Sequence, residues 1–385
     1  MASKEQLADA SQRLYQHILK THWNGGAVFG PDPGIRFNAR IGRFIKGYLS
    51  FIPWSDTLIY AQAQKYWIAS NWLMHELNFK DKESYSTIAI AGSDYLADVQ
   101  RPEGYWEYPN PEWRGRIATV EGNYATIGML ESYLQTQKPQ LLEGAKKWYE
   151  YAVKHIGFQR DGNFLAINYF GNHGTAMVPN NSASIVRVFA MLSHAANDKS
   201  YLEICVPMVN WLNHVQLETG ELPYAVRAPE DTSNADRIHF LCHQYNAFEF
   251  LNLADYYDLT NDQNIFPVLK NLANYLATGI TETGACRYTC HREFPEVAYY
   301  TTALAASLRR ASQMGFGDFN VLADQGYARL LSQQKKDGNM QFYSRKNYGI
   351  LSDKRSYPRY LSMILYHLLV EFKHQRKHSS EEKRG

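Results

Sequence analysis

Apolar side chains recur along this chain at the three-to-four-residue spacing of helices, almost from end to end. Two kinds of segment alternate. One kind is amphipathic, with charge on one face, as in YLEICVPMVNWLNHVQ, and is predicted near 4–21, 83–100, 140–156, 199–217, 261–278 and 317–335. The other is rich in small and apolar residues on most sides, as in YYTTALAASL and LSMILYHLL. It is predicted near 55–79, 119–136, 181–196, 237–257, 295–312 and 356–374. A helix that is apolar all round is buried on most of its surface, whereas a one-sided helix covers it. The pattern therefore predicts six outer–inner helix pairs. Start signals agree: Ser55-Asp56 precedes Thr57, Ser182 precedes an apolar run, and Pro295 and Pro358 fit first-turn positions. Strand signals are weak and confined to the tips of the helical hairpins.

A repeat accompanies this alternation. Where an outer helix ends, a glycine follows, and usually an aromatic four residues later: Leu96-ADV-Gln100-RPE-Gly104-YWE-Tyr108, Phe158-QRD-Gly162-NFL-Ala166, Leu212-NHV-Gln216-LET-Gly220-ELP-Tyr224, Ile280-TET-Gly284-ACR-Tyr288 and Leu330-LSQ-Gln334-KKD-Gly338-NMQ-Phe342. Successive glycines are 58, 58, 64 and 54 residues apart. A degenerate sixth copy at His22-Trp23-Asn24-Gly25-Gly26 is followed by a longer insertion, 24–54, placed where it could cover the end of a ring. A fixed period of this kind marks one supersecondary unit used repeatedly. The glycine position just past a helix suits the left-handed backbone that ends it.

Twelve helices in six alternating pairs resemble the all-α (α/α)6 toroid. The segment Leu96-x3-Gln100-x3-Gly104-x-Trp106 resembles the glutamine–tryptophan motif of squalene-type terpene cyclases. Similar turns belong to six-hairpin glycosidases, related polysaccharide lyases and sugar epimerases. The resemblance implies one toroid over residues 1–375, a flexible tail over 376–385, and an active site at the mouth where the inner helices begin. Helix N-termini, with unpaired N–H groups and a positive dipole end, give that placement physical sense.

Composition narrows the chemistry. The 40 basic and 38 acidic residues nearly cancel, so nothing calls for a nucleic-acid partner. Four cysteines, Cys205, Cys242, Cys286 and Cys290, are too few for a disulfide scaffold at this length. The polar N-terminus lacks the apolar core of a signal peptide, and no run suffices for a membrane span. A cytoplasmic protein is the expectation. The 28 tyrosines, 18 phenylalanines and 8 tryptophans supply flat apolar faces with polar edges, suited to a helix core and to stacking on a ring.

Candidate catalytic residues are Glu121, at the start of an otherwise apolar inner helix, and His239 and His243, four apart and thus on one helical face. A carboxylate partner for Glu121 could be Asp236, Glu293 or Asp353, since glycoside hydrolysis uses two carboxyl groups; histidines move protons near neutral pH. Candidate substrate-binding residues are Trp106, Tyr108, Trp113, Arg116, Asn123, Asn172, His173, Asn181, Tyr245, Glu293, Arg355 and Arg359. The competing assignments are ordinary ones: a capping role for Glu121, core positions for the histidines, turn chemistry for Asn172-His173. The spacing Cys286-x3-Cys290-His291 matches no common zinc pattern, and neither metal nor cofactor is expected.

These readings point to an enzyme that hydrolyses, eliminates or epimerises an oligo- or polysaccharide, with arginines suited to a uronic acid. The alternatives are a terpene-cyclase-like enzyme, though no Asp-x-Asp-Asp or Asp-Asp-x-x-Asp occurs, and a non-catalytic binding ring. The oligomeric state is left open.

Overall fold

The computed structural model describes residues 2–35, 41–54, 56–80, 82–171, 176–227, 237–238, 242–343 and 354–381. Six inner helices form the ring: α3 (Ala61–Glu76), α5 (Thr119–Thr136), α7 (Pro179–Ala196), α9 (Cys242–Thr260), α11 (Ala298–Gln313) and α13 (Pro358–Glu381). Each packs on the next, and α13 returns to pack on α3. Outside them lie α1 (Lys4–His22), α4 (Lys82–Asp98), α6 (Pro139–Tyr151), α8 (Cys205–Val215), α10 (Phe266–Ala277) and α12 (Asn320–Ser332). This is the (α/α)6 toroid. Burial follows the sequence pattern: every described residue of α3 from Ala61 to Asn71 is buried, whereas α1 buries one stripe, including Leu7, Leu14, Tyr15 and Ile18.

The repeat turns hold the outer layer together. Gln100 Nε2 donates both to the Gly104 carbonyl (3.0 Å) and to the Gly144 carbonyl on the next outer helix (2.9 Å). Gln216 does the same with Gly220 and Val268 (2.8 and 3.0 Å), and Gln334 with Gly338 and Ala10 (3.1 and 2.9 Å). The last of these joins the sixth hairpin to α1 and so closes the ring. At Gly338, φ is +85° and a Cβ would lie 2.2 Å from the Arg13 carbonyl oxygen, so only glycine permits the approach.

Three departures from the expected elements have local causes. The first inner helix begins at Ala61, not near 55, because Leu58 bridges to Gly30 of the insertion. The fourth begins at Cys242, because Arg237–Ile238 (β5) pairs with Ala225–Arg227 (β4), which pairs in turn with Ala176–Met177 (β3). A second small sheet, Phe158–Asp161 (β1) with Phe164–Ile167 (β2), forms the hairpin tip at Gly162. The tail expected to fray from 376 instead continues α13 to Glu381, with Arg376 Nη1 donating to the Leu77 carbonyl at 2.7 Å. The insertion carries a short helix, α2 (Arg43–Tyr48), and is fastened to the start of α13. Asp56 pairs there with Lys46 (2.9 Å) and with both terminal nitrogens of Arg355 (2.7 and 2.9 Å).

Candidate active site

A cavity of about 110 Å³ lies on the ring axis where the inner helices begin. All six contribute first- or second-turn residues: Gln62, Val120 and Tyr124, Asn180 and Asn181, Gln244, Tyr245 and Phe248, Tyr299, and Arg359 and Tyr360. Tyr108, Tyr169, Val178 and Tyr224 come from the preceding loops. The same side of each inner helix turns to the axis, so the six helix starts and the loops before them concentrate seven tyrosines, three amide-bearing side chains of the Asn/Gln type beside Gln62, and one arginine in one cleft. No carboxylate is among its described lining residues.

Arg359 is the positive group of the cleft. Its Nε donates to Gln62 Oε1 at 2.6 Å, its Nη1 lies 3.4 Å from Asp32 Oδ2, and its guanidinium sits 4.4 Å from the Tyr60 ring centroid. Gln62 in turn donates to the Tyr124 hydroxyl at 3.2 Å. Arg359 is thus aimed by neighbours on α3 and the insertion rather than left to solvent. Two buried polar atoms of lining residues, Asn181 Nδ2 and Gln244 Oε1, have no hydrogen-bond partner among the described residues. Leaving such atoms unpaired costs about 1–3 kcal/mol each, which a ligand would recover. Burial pushes the hydroxyls of Tyr169, Tyr245, Tyr299 and Tyr360 far above their ordinary pKa, so they remain proton donors.

The residues expected from sequence fall into three groups. Tyr108, Asn181, Tyr245 and Arg359 line the cleft. Trp113 stands behind it, 5.5 Å from Tyr108 and 6.0 Å from Tyr169 between ring centroids, with Arg116 over the neighbouring Phe170 ring at 5.3 Å.

The second group is turned elsewhere. Trp106 donates its Nε1 to the Leu96 carbonyl (2.9 Å), stitching the repeat turn. Asn123 accepts from Trp148 Nε1 (3.1 Å) and donates to Ser184 (2.7 Å) inside the helix layers. Arg355 is engaged with Asp56, and Glu293 is exposed and pairs with Arg287 at 3.2 Å. His243 stacks on Tyr275 of α10 with centroids 4.6 Å apart and its Nε2 3.1 Å from Thr278 Oγ1. Burial lowers its pKa to about 4, so it is a neutral histidine between inner and outer layers, not a cleft base. The helical register explains this: Gln244 and Tyr245 face the axis, so His243 faces out.

Glu121 is also displaced from the axis. Its Oε1 accepts from the Ala61 backbone N–H at 2.7 Å, capping α3 from the neighbouring helix. Burial raises its pKa to about 7 against the opposing pull of that N–H and of Arg359. It borders a separate crevice with Tyr95 and Trp106.

The third group, Asp236, His239, Asn172 and His173, lies outside the described residues. Sequence reading missed Gln62, Tyr299, Tyr360 and Asp32. The first three sit one or two positions into inner helices, where helix starts fixed more sharply would have found them. Asp32 lies in the insertion, and nothing local marks it. Among the described residues no three His, Cys, Asp or Glu side chains gather to hold a metal ion, and Cys205, Cys286 and Cys290 are unbonded. No described helix is long and apolar enough to cross a membrane.

No family model matches the sequence, and no curated protein matches it. Solved structures do. A possible member of the GH105 family from Salmonella enterica superposes with a TM-score of 0.67 at 13% identity, covering 97% of this chain and 95% of that one. The cellobiose 2-epimerase of Bacillus thermoamylovorans gives 0.70 at 11% identity, with 96% and 100% covered. A GH76 α-mannanase from Bacteroides thetaiotaomicron gives 0.64 at 14%, with 97% of each chain covered. At such identities the likeness is one of fold.

Proposed function

We propose that the chain is a carbohydrate-active enzyme whose axial cleft takes an acidic, uronate-containing oligosaccharide and acts on it by proton transfer, as a lyase or epimerase. One observation carries this reading: the cleft joins a fixed arginine and unpaired amide groups to a wall of tyrosines, without a carboxylate among its described lining residues. Among the described lining residues there is no pair of carboxyl groups to flank a bond for hydrolysis. The similar solved structures include carbohydrate-active enzymes, which agrees with the substrate class.

In this reading Arg359 holds the uronate carboxylate through charge-assisted hydrogen bonds, with Asn181 Nδ2 as a second donor. Neutralising that carboxylate acidifies the adjacent C–H. Tyr245, Tyr299 or Tyr360, kept protonated by burial, donates to the departing glycosidic oxygen or to the developing enolate. Tyrosine faces stack on the sugar rings. The base would come from His173 or His239, in segments adjoining the mouth in sequence. A single domain, a cytoplasmic location and the absence of a nucleic-acid partner, metal and cofactor belong to the same reading.

The test is a screen of uronate-containing and neutral oligosaccharides, following new double-bond absorbance and, by NMR, inversion at carbon. Turnover is expected on acidic substrates. Arg359→Gln should lower kcat/KM by roughly 10- to 150-fold, the worth of about 1.5–3 kcal/mol for a charged hydrogen bond, and Glu121→Gln should retain activity. Turnover confined to neutral glycans, with new reducing ends, no unsaturation and loss on Glu121→Gln, would overturn the reading in favour of hydrolysis.

A further inference from the structure

Phe248 lines two cavities. Above it is the cleft already described. Below it, where the inner helices end, a second cavity of about 240 Å³ lies on the ring axis. Lys65 of α3 reaches into it with only 1% of its side chain exposed. Its Nζ stands 4.1 Å from the ring centroid of Tyr66 and 4.4 Å from that of Tyr366. The carboxylate oxygen it approaches, Glu131 Oε1, is 3.7 Å away, beyond hydrogen-bond length. The other cations here are held tightly: Arg187 by Asp255 at 2.9 Å, and Arg309 by both oxygens of Glu371 at 3.0 Å. Lys46, the other buried lysine among the described residues, has its carboxylate at 2.9 Å. Lys65 is the loosely held amine of the set, and it belongs to the cavity wall.

We propose that this far-end cavity is a second, carbonyl-binding site in which Lys65 condenses reversibly with a small aldehyde or ketone, assisted by Glu131. The unprotonated Nζ attacks the carbonyl carbon with its lone pair. A C–N bond forms, the C=O π electrons move to oxygen, and the Glu131 carboxyl supplies a proton there. The nitrogen then gives a proton to the Glu131 carboxylate, which passes it to the hydroxyl oxygen, and water departs as the nitrogen lone pair closes the C=N bond. The products are a protonated imine and one water; hydrolysis reverses the step, and no oxidant or reductant is consumed. The groups facing Lys65 suit the chemistry. Burial, reinforced by Arg187 and opposed by Glu131 and Asp255, lowers its ammonium to about 8. Burial also raises the Glu131 carboxyl, against the opposing pull of Lys65 and Arg187, and lowers His367 to about 3. Phe248, Leu251, Ala306 and Val370 give the cavity an apolar wall, which selects a carbonyl compound with an apolar or aromatic body.

Benzaldehyde with cyanoborohydride, followed by peptide mapping, tests this on the full-length protein. Lys65 should be trapped at least about tenfold faster than the exposed Lys147 and Lys270, as expected for a desolvated amine with a lowered pKa. Ala306→Phe, which fills the cavity, should abolish trapping at Lys65 and leave Lys147 and Lys270 unchanged. Trapping of Lys65 no faster than Lys147 in the wild-type protein would overturn the proposal. So would thermal stabilisation by sodium benzoate without trapping, which would make the cavity an anion site.

Discussion

At the scale of single residues, the chain's unusual expense is a buried acid. Glu249 on α9 is completely buried, and neither carboxyl oxygen has a hydrogen-bond partner among the described residues. Burial first, and the nearby Glu221 second, push its pKa well up. A group whose folded pKa is raised binds its proton more tightly in the native state. Its contribution is intact below the unfolded value of about 4.3 and is lost as pH rises. Glu249→Gln keeps the shape and removes the titration. The variant should therefore melt at a higher temperature than the wild type at pH 8, with the gap shrinking towards pH 4. Calorimetry across that range checks it, and a gap that does not change with pH would contradict the assignment. His243 obeys the opposite sign: its folded pKa of about 4 is depressed, so its contribution is complete above pH 6.5 and is lost as pH falls.

At the scale of elements, the insertion is the part whose attachment is most localised. α2 and its flanks are fastened to the sixth hairpin by Asp56, which engages both Lys46 and Arg355, and by Asp32 near Arg359. Arg43 adds a stacking contact, 4.2 Å from the Tyr343 ring centroid. Removing one partner of a buried ion pair leaves the others uncompensated, at about 3–5 kcal/mol. Because the loss falls on one strap, Asp56→Asn should release 41–54 locally before the ring melts. Limited proteolysis should then cut that segment at least about tenfold faster, a shift of roughly 1.4 kcal/mol or more, with the main thermal transition retained. Cleavage at the wild-type rate would show that Asp56 does not hold the strap. The strap contributes Asp32 to the setting of Arg359, so its release is also expected to weaken binding of an acidic ligand in the cleft.

At the scale of the whole molecule, closure is the organising fact. The sixth repeat turn docks on α1 through Gln334 and Gly338, α1 packs on α13, and Gln375 near the end of α13 donates to the Ala2 carbonyl at 3.3 Å. The start of α1 and the last turns of α13 therefore meet on one seam. A circular permutant joining them by a flexible linker and opening the chain at Gln137–Lys138, between α5 and α6, should fold to the same ring. Its Tm should stay within about 5 °C of the parent, the shift expected for a change near 1–2 kcal/mol in a chain this long. A permutant without a cooperative transition would mean that the α5–α6 connection, rather than the seam, organises folding.

Much of this was legible beforehand, for a physical reason. A ring of helical hairpins states its period in the sequence: apolar-all-round and one-sided helices alternate, and the turns need Gln100, Gln216, Gln334 and their glycines at fixed offsets. Local patterning therefore determined the fold class and the order of helices to within a few residues. Which side of each helix start faces the axis was decided by tertiary packing alone. A rotation of about 100° per residue separates Tyr245 in the cleft from His243 against α10. One step of the same rotation carries Glu121 past the cleft-facing Val120, and its carboxylate caps a neighbouring helix instead. Asp32 and Gln62 come from distant parts of the chain and meet only at Arg359. The two axial cavities divided by Phe248 exist only because six helices close around one axis, which no stretch of sequence records by itself.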